Sequence, residues 1–483
     1  MSRLFRSLCL LLAGTVCISL LSDCGKKGVP VLRVIDADKK KLIVLTGDET
    51  KLHNFYTADF VILGGSLGGI AAALAICSSG RTAILVEETD RIAGCFTVGD
   101  TSAYAENRFI ETSGSSKSYK EFRRKIQEWY DKQSKTPPEL FKNLYPQLQE
   151  FGAGGICFES EAALEVVYDM LEDRIKREYL TVIKRHKVAK IVTYQNHIAS
   201  LVAVDLDSLT ANQFIGWMYI DATRTGDLFP LLGLEYEIGR ESRADTNEPH
   251  APDTPDSLFA GDVYCFSDPG RFLGKPKESQ RLKFDLVKGT GAPDTLNQCI
   301  ILRDSRRLRG RKKIVEQDIS ADFNKGPRAQ FFNNSIGIGY EPIHIMNPGS
   351  DPEGQLIMTK PFQIPLGALL PEKCTNLIAC GGNISTTWIT STAYSTPPVE
   401  WAVGEAAGIV AAYCAGVKTF TDELTKNPQQ VSHIQRWLVT KRGAPIYWYD
   451  DMTSDDKDFV EAQLKPFVEP GYNDSSTTLH YRK

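Results

Sequence analysis

Residues 60–86 constrain this chain more than any other stretch. Phe60-Val61-Ile62-Leu63 is a continuous apolar run, Gly64-Gly65-Ser66-Leu67-Gly68-Gly69 is a glycine-rich turn, residues 70–79 are Ala-rich, Gly80 interrupts, and residues 82–86 are apolar again. Two short apolar runs flanking a helix-forming stretch predict a buried strand, a tight turn, a helix and a second, parallel strand. That is a βαβ unit, and it places the chain in the α/β class.

The turn itself carries chemistry. Against G-x-G-x-x-G it matches at Gly64 and Gly69, with Ser66 in place of the middle glycine. Gly64 permits the tight turn, Gly69 lets the helix approach the sheet, and the small Ser66 still lets phosphates reach the backbone. The helix N-terminus offers N–H groups and a positive dipole end to a pyrophosphate. Glu87 and Glu88 close the next strand, where a dinucleotide fold places an acid for ribose hydroxyls. The same turn also spells G-x-S-x-G, the nucleophile elbow of α/β-hydrolases, with Ser66 as nucleophile. Against this rival, too little chain precedes Ser66 for the strands and oxyanion loop such an elbow follows, and no late His stands in a convincing catalytic loop.

The 483 residues, 42% of them hydrophobic, are enough for two or three domains. A net charge of -4 gives no basic footprint for nucleic acid. Arg303, Arg306, Arg307, Arg309 and Arg311 form one basic cluster, read as a solvated helix end or an anion site. Arg3 and Arg6 followed by apolar residues 8–21 form an export leader. Leu21-Ser22-Asp23-Cys24 resembles a lipoprotein cleavage box, with Asp23 out of pattern; ordinary secretion and an uncleaved anchor are the alternatives. Membrane contact is expected only through Cys24, and the protein is expected to be periplasmic or at the cell surface. Eleven cysteines, three of them in the leader, show no metal-ligand spacing, so no metal site is expected. Cys374 and Cys380 are either a disulfide or two buried thiols.

Further blocks extend the pattern. Asp90-Arg91-Ile92-Ala93-Gly94-Cys95-Phe96-Thr97 is similar to an "LGG-x-x-T" stretch, and Phe158-Glu159-Ser160-Glu161 to "RFEP". Residues 220–227 are similar to "DATGDGD", 302–310 to "RESRRIVG", and 340–344 to "GY-x-x-x-x-H". Residues 364–371 through 404–408 resemble a C-terminal cofactor-closing block. Together these blocks resemble bacterial FAD-dependent oxidoreductases with the glutathione-reductase-like FAD fold, over most of the chain after the leader. The resemblance implies a Rossmann-like FAD-binding domain, a mainly parallel sheet with helices plus a small antiparallel sheet, and a discontinuous α+β substrate domain. The expected layout is a leader (1–24), a tether with one strand or hairpin (25–57), an FAD domain (58–100, 155–235 and 361–416), a helical insertion (101–154), a substrate domain (236–360) and a helical tail (417–483).

By the same resemblance Gly64, Gly65, Ser66, Leu67, Gly68 and Gly69 cradle the pyrophosphate. Glu87 binds ribose with Glu88 as alternative, Gly94 and Cys95 run along the cofactor arm, and Val188, Ala222 and Thr223 line the adenine end. Gly381, Gly382 and Asn383 approach the flavin. Arg224 and Gly382 depart from the family pattern, where a glycine and an arginine stand. Pro398 and Val399 begin the last helix, whose N-terminus would face the charge that develops on flavin N1 and O2.

A flavin performs the redox chemistry and the protein orients it. Hydride removal also requires a proton acceptor. His344 is the first candidate, four residues after Tyr340; Arg306 holds either an anionic substrate or, the favoured role, an Asp/Glu partner in a structural ion pair. A hydrogen-bonded core histidine is the competing role. Trp388, Tyr394 and Trp401 are candidates for stacking on a sugar ring, with ordinary core packing the expected role of at least two of them. The expected function is FAD-dependent oxidation of an exported or extracellular small molecule, such as a carbohydrate-related alcohol, with an unspecified electron acceptor. A flavoprotein fold retained for binding without turnover is the alternative class.

Overall fold

Five strands lie side by side, all parallel, in the order Leu377–Ala379, Met218–Asp221, Phe60–Leu63, Ala83–Val86 and Leu180–Ile183. The first four are buried at every residue. That burial explains why their sequences run apolar without alternation. The structure is a computed structural model describing residues 29–97, 101–135, 154–255, 261–267, 297–302, 306–347 and 351–469. The leader, including Cys24, lies outside the described residues.

The helix Leu67–Ser78 packs against this sheet and against the helix Pro397–Val417. All but its last residue are buried, which the alanines and glycines of both helices permit by letting the backbones approach closely. Pro397 and Pro398 occupy the first turn of the later helix, where a missing N–H costs nothing. Among the described residues no helix is long and apolar enough to cross a membrane.

A second sheet, ordered Leu52–Thr57, Ala211–Ile215, His197–Asp205 and His186–Tyr194, is antiparallel except for its first pair. On it rests a hairpin of Val31–Asp36 and Lys41–Thr46. Leu32, Val34, Ile43 and Leu45 form the hairpin's inner face, packed with Val202, Val204, Leu206 and Ala211. Arg185 fastens its far end through Asp36, Nη2 to Oδ2 at 2.8 Å, and that guanidinium lowers the Asp36 carboxyl to about 2. Residues 25–57 were expected to be a tether with one strand or hairpin. The described part instead carries three strands, because period-two alternation in Val31–Asp36 gives the hairpin a face to bury.

A third sheet orders Asn297–Leu302, Gly261–Ser267, Thr101–Glu106 and Gly154–Glu159, all antiparallel. It corrects the expected helical insertion at 101–154. The described part of that segment holds the helix Lys117–Lys132 and the strand Thr101–Glu106, which pairs with Gly154–Glu159 on one side and with Gly261–Ser267 on the other. The helix buries Tyr119, Phe122, Ile126 and Tyr130 along one face, at the three- and four-residue spacing that makes a stripe. The arginine cluster is not a helix end. Arg307 lies in a short strand, is 1% exposed, and donates to Gly239 O at 2.6 Å and Glu241 Oε1 at 3.1 Å. Arg303 lies outside the described residues. Cys374 and Cys380 are both buried and not bridged.

Candidate functional site

The turn after Phe60–Leu63 is held by backbone contacts that only glycine allows. Gly64 has φ +95°, and a Cβ there would sit 2.3 Å from Ala222 O. A Cβ on Gly69 would sit 2.1 Å from Gly64 O. Ser66 caps the helix, its Oγ accepting from the Gly69 N–H at 3.3 Å. This hydroxyl therefore serves the backbone. No described histidine contacts it, which removes the hydrolase reading.

Two carboxylates flank the turn. Glu87 Oε2 accepts from the Gly65 N–H at 2.5 Å, and its Oε1 accepts from Thr89 N–H and Oγ–H, both at 2.8 Å. Glu400, 3% exposed, accepts from the Gly68 N–H at 3.3 Å. Between them, the N–H groups of Ser66 and Leu67 donate to nothing among the described residues. Two open donors at the positive end of a twelve-residue helix form an anion seat.

Three further segments close over this seat. Ala93 donates to Gly65 O at 2.7 Å, and Gly94, at φ +49°, comes so close that its Cβ would lie 3.2 Å from Ser66 Cα. Gly381 has φ +103° and lies against Glu400, and a Cβ on Gly404 would fall 2.2 Å from Gly68 O. Asn383 ties the late segment to the early one: Nδ2 donates to Asp221 O at 2.9 Å and Thr223 O at 3.3 Å, while Oδ1 accepts from Cys380 N–H at 3.1 Å. Asp221 is fully buried, accepting from Thr223 N–H, Thr223 Oγ–H and Leu228 N–H, and burial raises its carboxyl to about 6. The predicted residues Gly64 to Gly69, Glu87, Gly94, Cys95, Ala222, Thr223, Gly381, Gly382, Asn383, Pro398 and Val399 thus belong to segments that converge on one cradle. A cradle with backbone on three sides and two open amides fits a diphosphate-linked nucleotide such as FAD.

Other predicted residues fall elsewhere. Glu88 and Asp227 both pair with the Lys187 ammonium, next to Val188 in its strand. Glu88 is thereby engaged away from the turn, leaving Glu87 as the acid on the glycine loop. Arg306 Nη1 donates to Thr225 O at 2.7 Å and lies 3.7 Å from Asp227 Oδ1. These contacts, with the Tyr236 ring, tie Arg306 to the Asp227 turn, the ion pair expected for it beside the role of substrate anchor.

His344 is half-buried in the strand Ile343–Asn347, its backbone N–H donating to Thr392 Oγ1 at 2.9 Å. The Tyr340 ring lies 5.5 Å from Trp448 and 6.3 Å from Phe109, and burial raises its hydroxyl above the usual range. Of the three aromatics weighed between sugar stacking and core packing, Trp401 and Tyr394 are core residues. Their polar atoms are committed, Trp401 Nε1 to Ser118 Oγ at 2.8 Å and Tyr394 OH to Gln363 O at 2.8 Å. Trp388 is 4% exposed, with the Arg240 guanidinium 5.4 Å from its ring centre.

The structure adds acids that the sequence did not single out. Glu106 and Glu341 are both buried. Glu106 accepts from Tyr119 OH at 2.8 Å and pairs with Arg123 at 2.9 Å. Burial and the Glu106 charge push Glu341 well above the usual carboxylate range. Neither has a local signature: the partners of Glu106 lie 13 and 17 residues on, and Glu341 meets Glu106 from far along the chain. Glu400 did have one, as a single charge in an otherwise apolar helix start.

The family described as FAD dependent oxidoreductase matches residues 59–284 and 294–438, most of the chain. Among solved structures, the chain is similar to a geranylgeranyl bacteriochlorophyll reductase-like protein from Thermoplasma acidophilum at 11% identity, covering 86% of this chain and 97% of that one, with a TM-score of 0.35. It is similar to E. coli quinol fumarate reductase FrdA at 12% identity, covering 80% and 76%, TM-score 0.36. A third similarity is to the Mycobacterium smegmatis Sdh1 complex at 9% identity, covering 79% and 73%, TM-score 0.32. No curated protein matches the sequence.

Proposed function

The chain belongs to the FAD-dependent oxidoreductase family, and from that premise we propose that it oxidises an exported or extracellular small molecule by removing a hydride from carbon. The observation that carries the reading is the pair of open Ser66 and Leu67 amides beneath a roof of Gly381 and Gly404. Bound FAD supplies the two-electron acceptor. The Ser66 and Leu67 N–H groups hold its diphosphate, and the helix dipole behind them favours that charge. Glu87, already oriented by Gly65 and Thr89, takes the ribose hydroxyls. Val188, Ala222 and Thr223 line the adenine end, and the Lys187–Glu88–Asp227 network stiffens it. Gly94 and Cys95 follow the cofactor arm. Gly381, Gly382, Asn383, Pro398 and Val399 border the ring.

His344 receives the proton released from the substrate, and Tyr340, four residues earlier in sequence, offers its hydroxyl to the same substrate; His can hold a proton reversibly near neutral pH. Arg306 is left out of this constellation. The substrate class proposed is an alcohol, with carbohydrate-related polyols the first to test, and the electron acceptor is a separate small molecule or protein. The leader supports export, with residues 8–21 or a lipid on Cys24 as the membrane anchor.

The test is direct. Purified protein is expected to be yellow, and anaerobic addition of the substrate is expected to bleach the visible flavin band. A colourless preparation that takes up no FAD would defeat the reading. A yellow one that no alcohol, amine or acid bleaches favours a flavin-bearing binding protein.

A further inference from the structure

The hairpin of Val31–Asp36 and Lys41–Thr46 has a second face that nothing in the described fold covers. The register pairs Val31 with Thr46, Arg33 with Val44, and Ile35 with Leu42, all pointing away from the sheet beneath. Four of these six are large and apolar, exposed by 44% at Val31, 62% at Ile35, 58% at Leu42 and 45% at Val44. Val29, 64% exposed, continues the patch toward the N-terminus. A contiguous apolar face of this kind on an otherwise well-packed protein marks a contact surface. It carries no carboxylate.

The turn is cationic. Lys39, Lys40 and Lys41 follow one another at its tip. Lys39 is committed to Asp36 and Asp207. Among the described residues, Arg33, Lys40 and Lys41 have no acidic partner, so three cations border the apolar face. Apolar side chains flanked by unpaired lysine and arginine suit an anionic lipid surface, which offers hydrocarbon beneath and phosphate above. A protein partner would also offer apolar area, but nothing in the chain places one there.

Chain connectivity places a membrane there. Only six residues lie between Cys24 and Val31, so the hairpin begins no more than about 25 Å from wherever residue 24 is held. With the leader's apolar stretch or a lipid on Cys24 in a bilayer, the hairpin spends its time at the surface. Weak attractions then act at high effective concentration.

We propose that the outer face of this hairpin docks on the anionic surface of the membrane that holds the N-terminus, with Val31, Ile35, Leu42 and Val44 entering the interface and Arg33, Lys40 and Lys41 meeting lipid phosphates. The inference rests on the leader being an anchor and is independent of the flavin chemistry.

Full-length chains carrying Leu42→Trp, Ile35→Trp or, as a distant exposed control, Val417→Trp are reconstituted with vesicles of phosphatidylethanolamine and phosphatidylglycerol. The phosphatidylglycerol carries brominated tails, which quench tryptophan on contact. Relative to the parent chain, the tryptophans at 42 and 35 should be quenched by at least twice the fraction lost at 417. Adding Lys40→Glu and Lys41→Glu should at least halve that extra quenching. Vesicle-bound protein in which positions 42, 35 and 417 are quenched alike overturns the docking face alone. Protein that stays out of the vesicle pellet overturns the docking face and the anchor reading together, while the flavin bleaching assay reports separately on the proposed function. A blue shift at position 42 that grows with protein concentration without lipid assigns the face to a second copy and also overturns the proposal.

Discussion

Gly404→Ala tests the central feature of the site, the close crossing of the helices Leu67–Ser78 and Pro397–Val417. An ideal Cβ at Gly404 would lie 2.2 Å from Gly68 O, 2.6 Å from Gly68 Cα and 2.8 Å from Gly68 C. All three are backbone atoms of the cofactor-seat helix, so no side chain can swing aside. Restoring ordinary contact requires the helices to part by about 1 Å, and overpacking of this kind costs about 1–3 kcal/mol. The helix propensity of alanine returns about 1 kcal/mol. Because the obstructing atoms are main chain, the upper part of the range applies, and the net loss expected is about 2 kcal/mol. The displaced atoms adjoin the Leu67 amide, so FAD affinity should fall about tenfold or more, the equivalent of roughly 1.4 kcal/mol. Denaturant unfolding of the FAD-free protein reads the first quantity, and quenching of FAD fluorescence on titration reads the second. Gly416→Ala in the same helix is the internal control. Its Cβ would meet only Trp437 Cη2 at 3.6 Å, an ordinary contact, so stability should hold or rise by up to about 1 kcal/mol. If Gly404→Ala matches Gly416→Ala in both assays, the helices do not cross as described and the roof over the seat is misassigned.

Other substitutions separate the roles of individual side chains. Ser66→Ala should cost about 1 kcal/mol through loss of the helix cap while leaving turnover intact, whereas a nucleophilic serine would lose all activity. Arg123→Met strands the buried Glu106 with only Tyr119 as donor and should destabilise by about 3 kcal/mol at neutral pH, less in acid, as read by denaturant melts at two pH values. Glu248, almost wholly buried, accepts from the Glu316 N–H at 2.7 Å and from Thr387 Oγ–H at 2.6 Å, and burial raises its carboxyl to about 7. A carboxyl raised in the folded state favours folding when protonated, so its contribution is complete below the unfolded value and fades as pH rises toward 7. Stability should therefore fall by on the order of 3 kcal/mol across that window, and Glu248→Gln should flatten the profile. His344→Gln should lower kcat by about 10²-fold or more with the flavin spectrum unchanged, and an unaffected kcat would return His344 to a core role.

What was legible in the sequence follows from where the folding signal is local. The strands Phe60–Leu63 and Leu377–Ala379 are buried on both faces, so their apolar runs stand out, and the glycine turn is confined to six neighbours. The hairpin was half seen, because Leu42 to Leu45 reads as a run while Val31–Asp36 is broken by charges at Arg33 and Asp36. The strands Thr101–Glu106 and Gly154–Glu159 have weakly apolar sequences and are stabilised by pairing across the chain, which no window of sequence records. Arg306 takes the ion-pair role expected beside that of a substrate anchor, but no spacing names the acid it meets. Its partners Thr225 and Asp227 come from a turn some eighty residues earlier. The pairing of Glu88 with Lys187 and the repulsion between Glu106 and Glu341 are likewise long-range electrostatics, invisible to spacing.

The contact between Gly68 and Gly404 has a further consequence for how the protein is made and lost. The nucleotide-holding loop leaves the ribosome long before the helix that completes it, so cofactor can be captured firmly only when nearly the whole chain is present. Capture and global folding are then thermodynamically linked: free FAD at a hundred times its Kd adds about 2.7 kcal/mol to the folded state. An intracellular or extracytoplasmic shortage of flavin would appear first as faster proteolysis of this protein, before any fall in its specific activity.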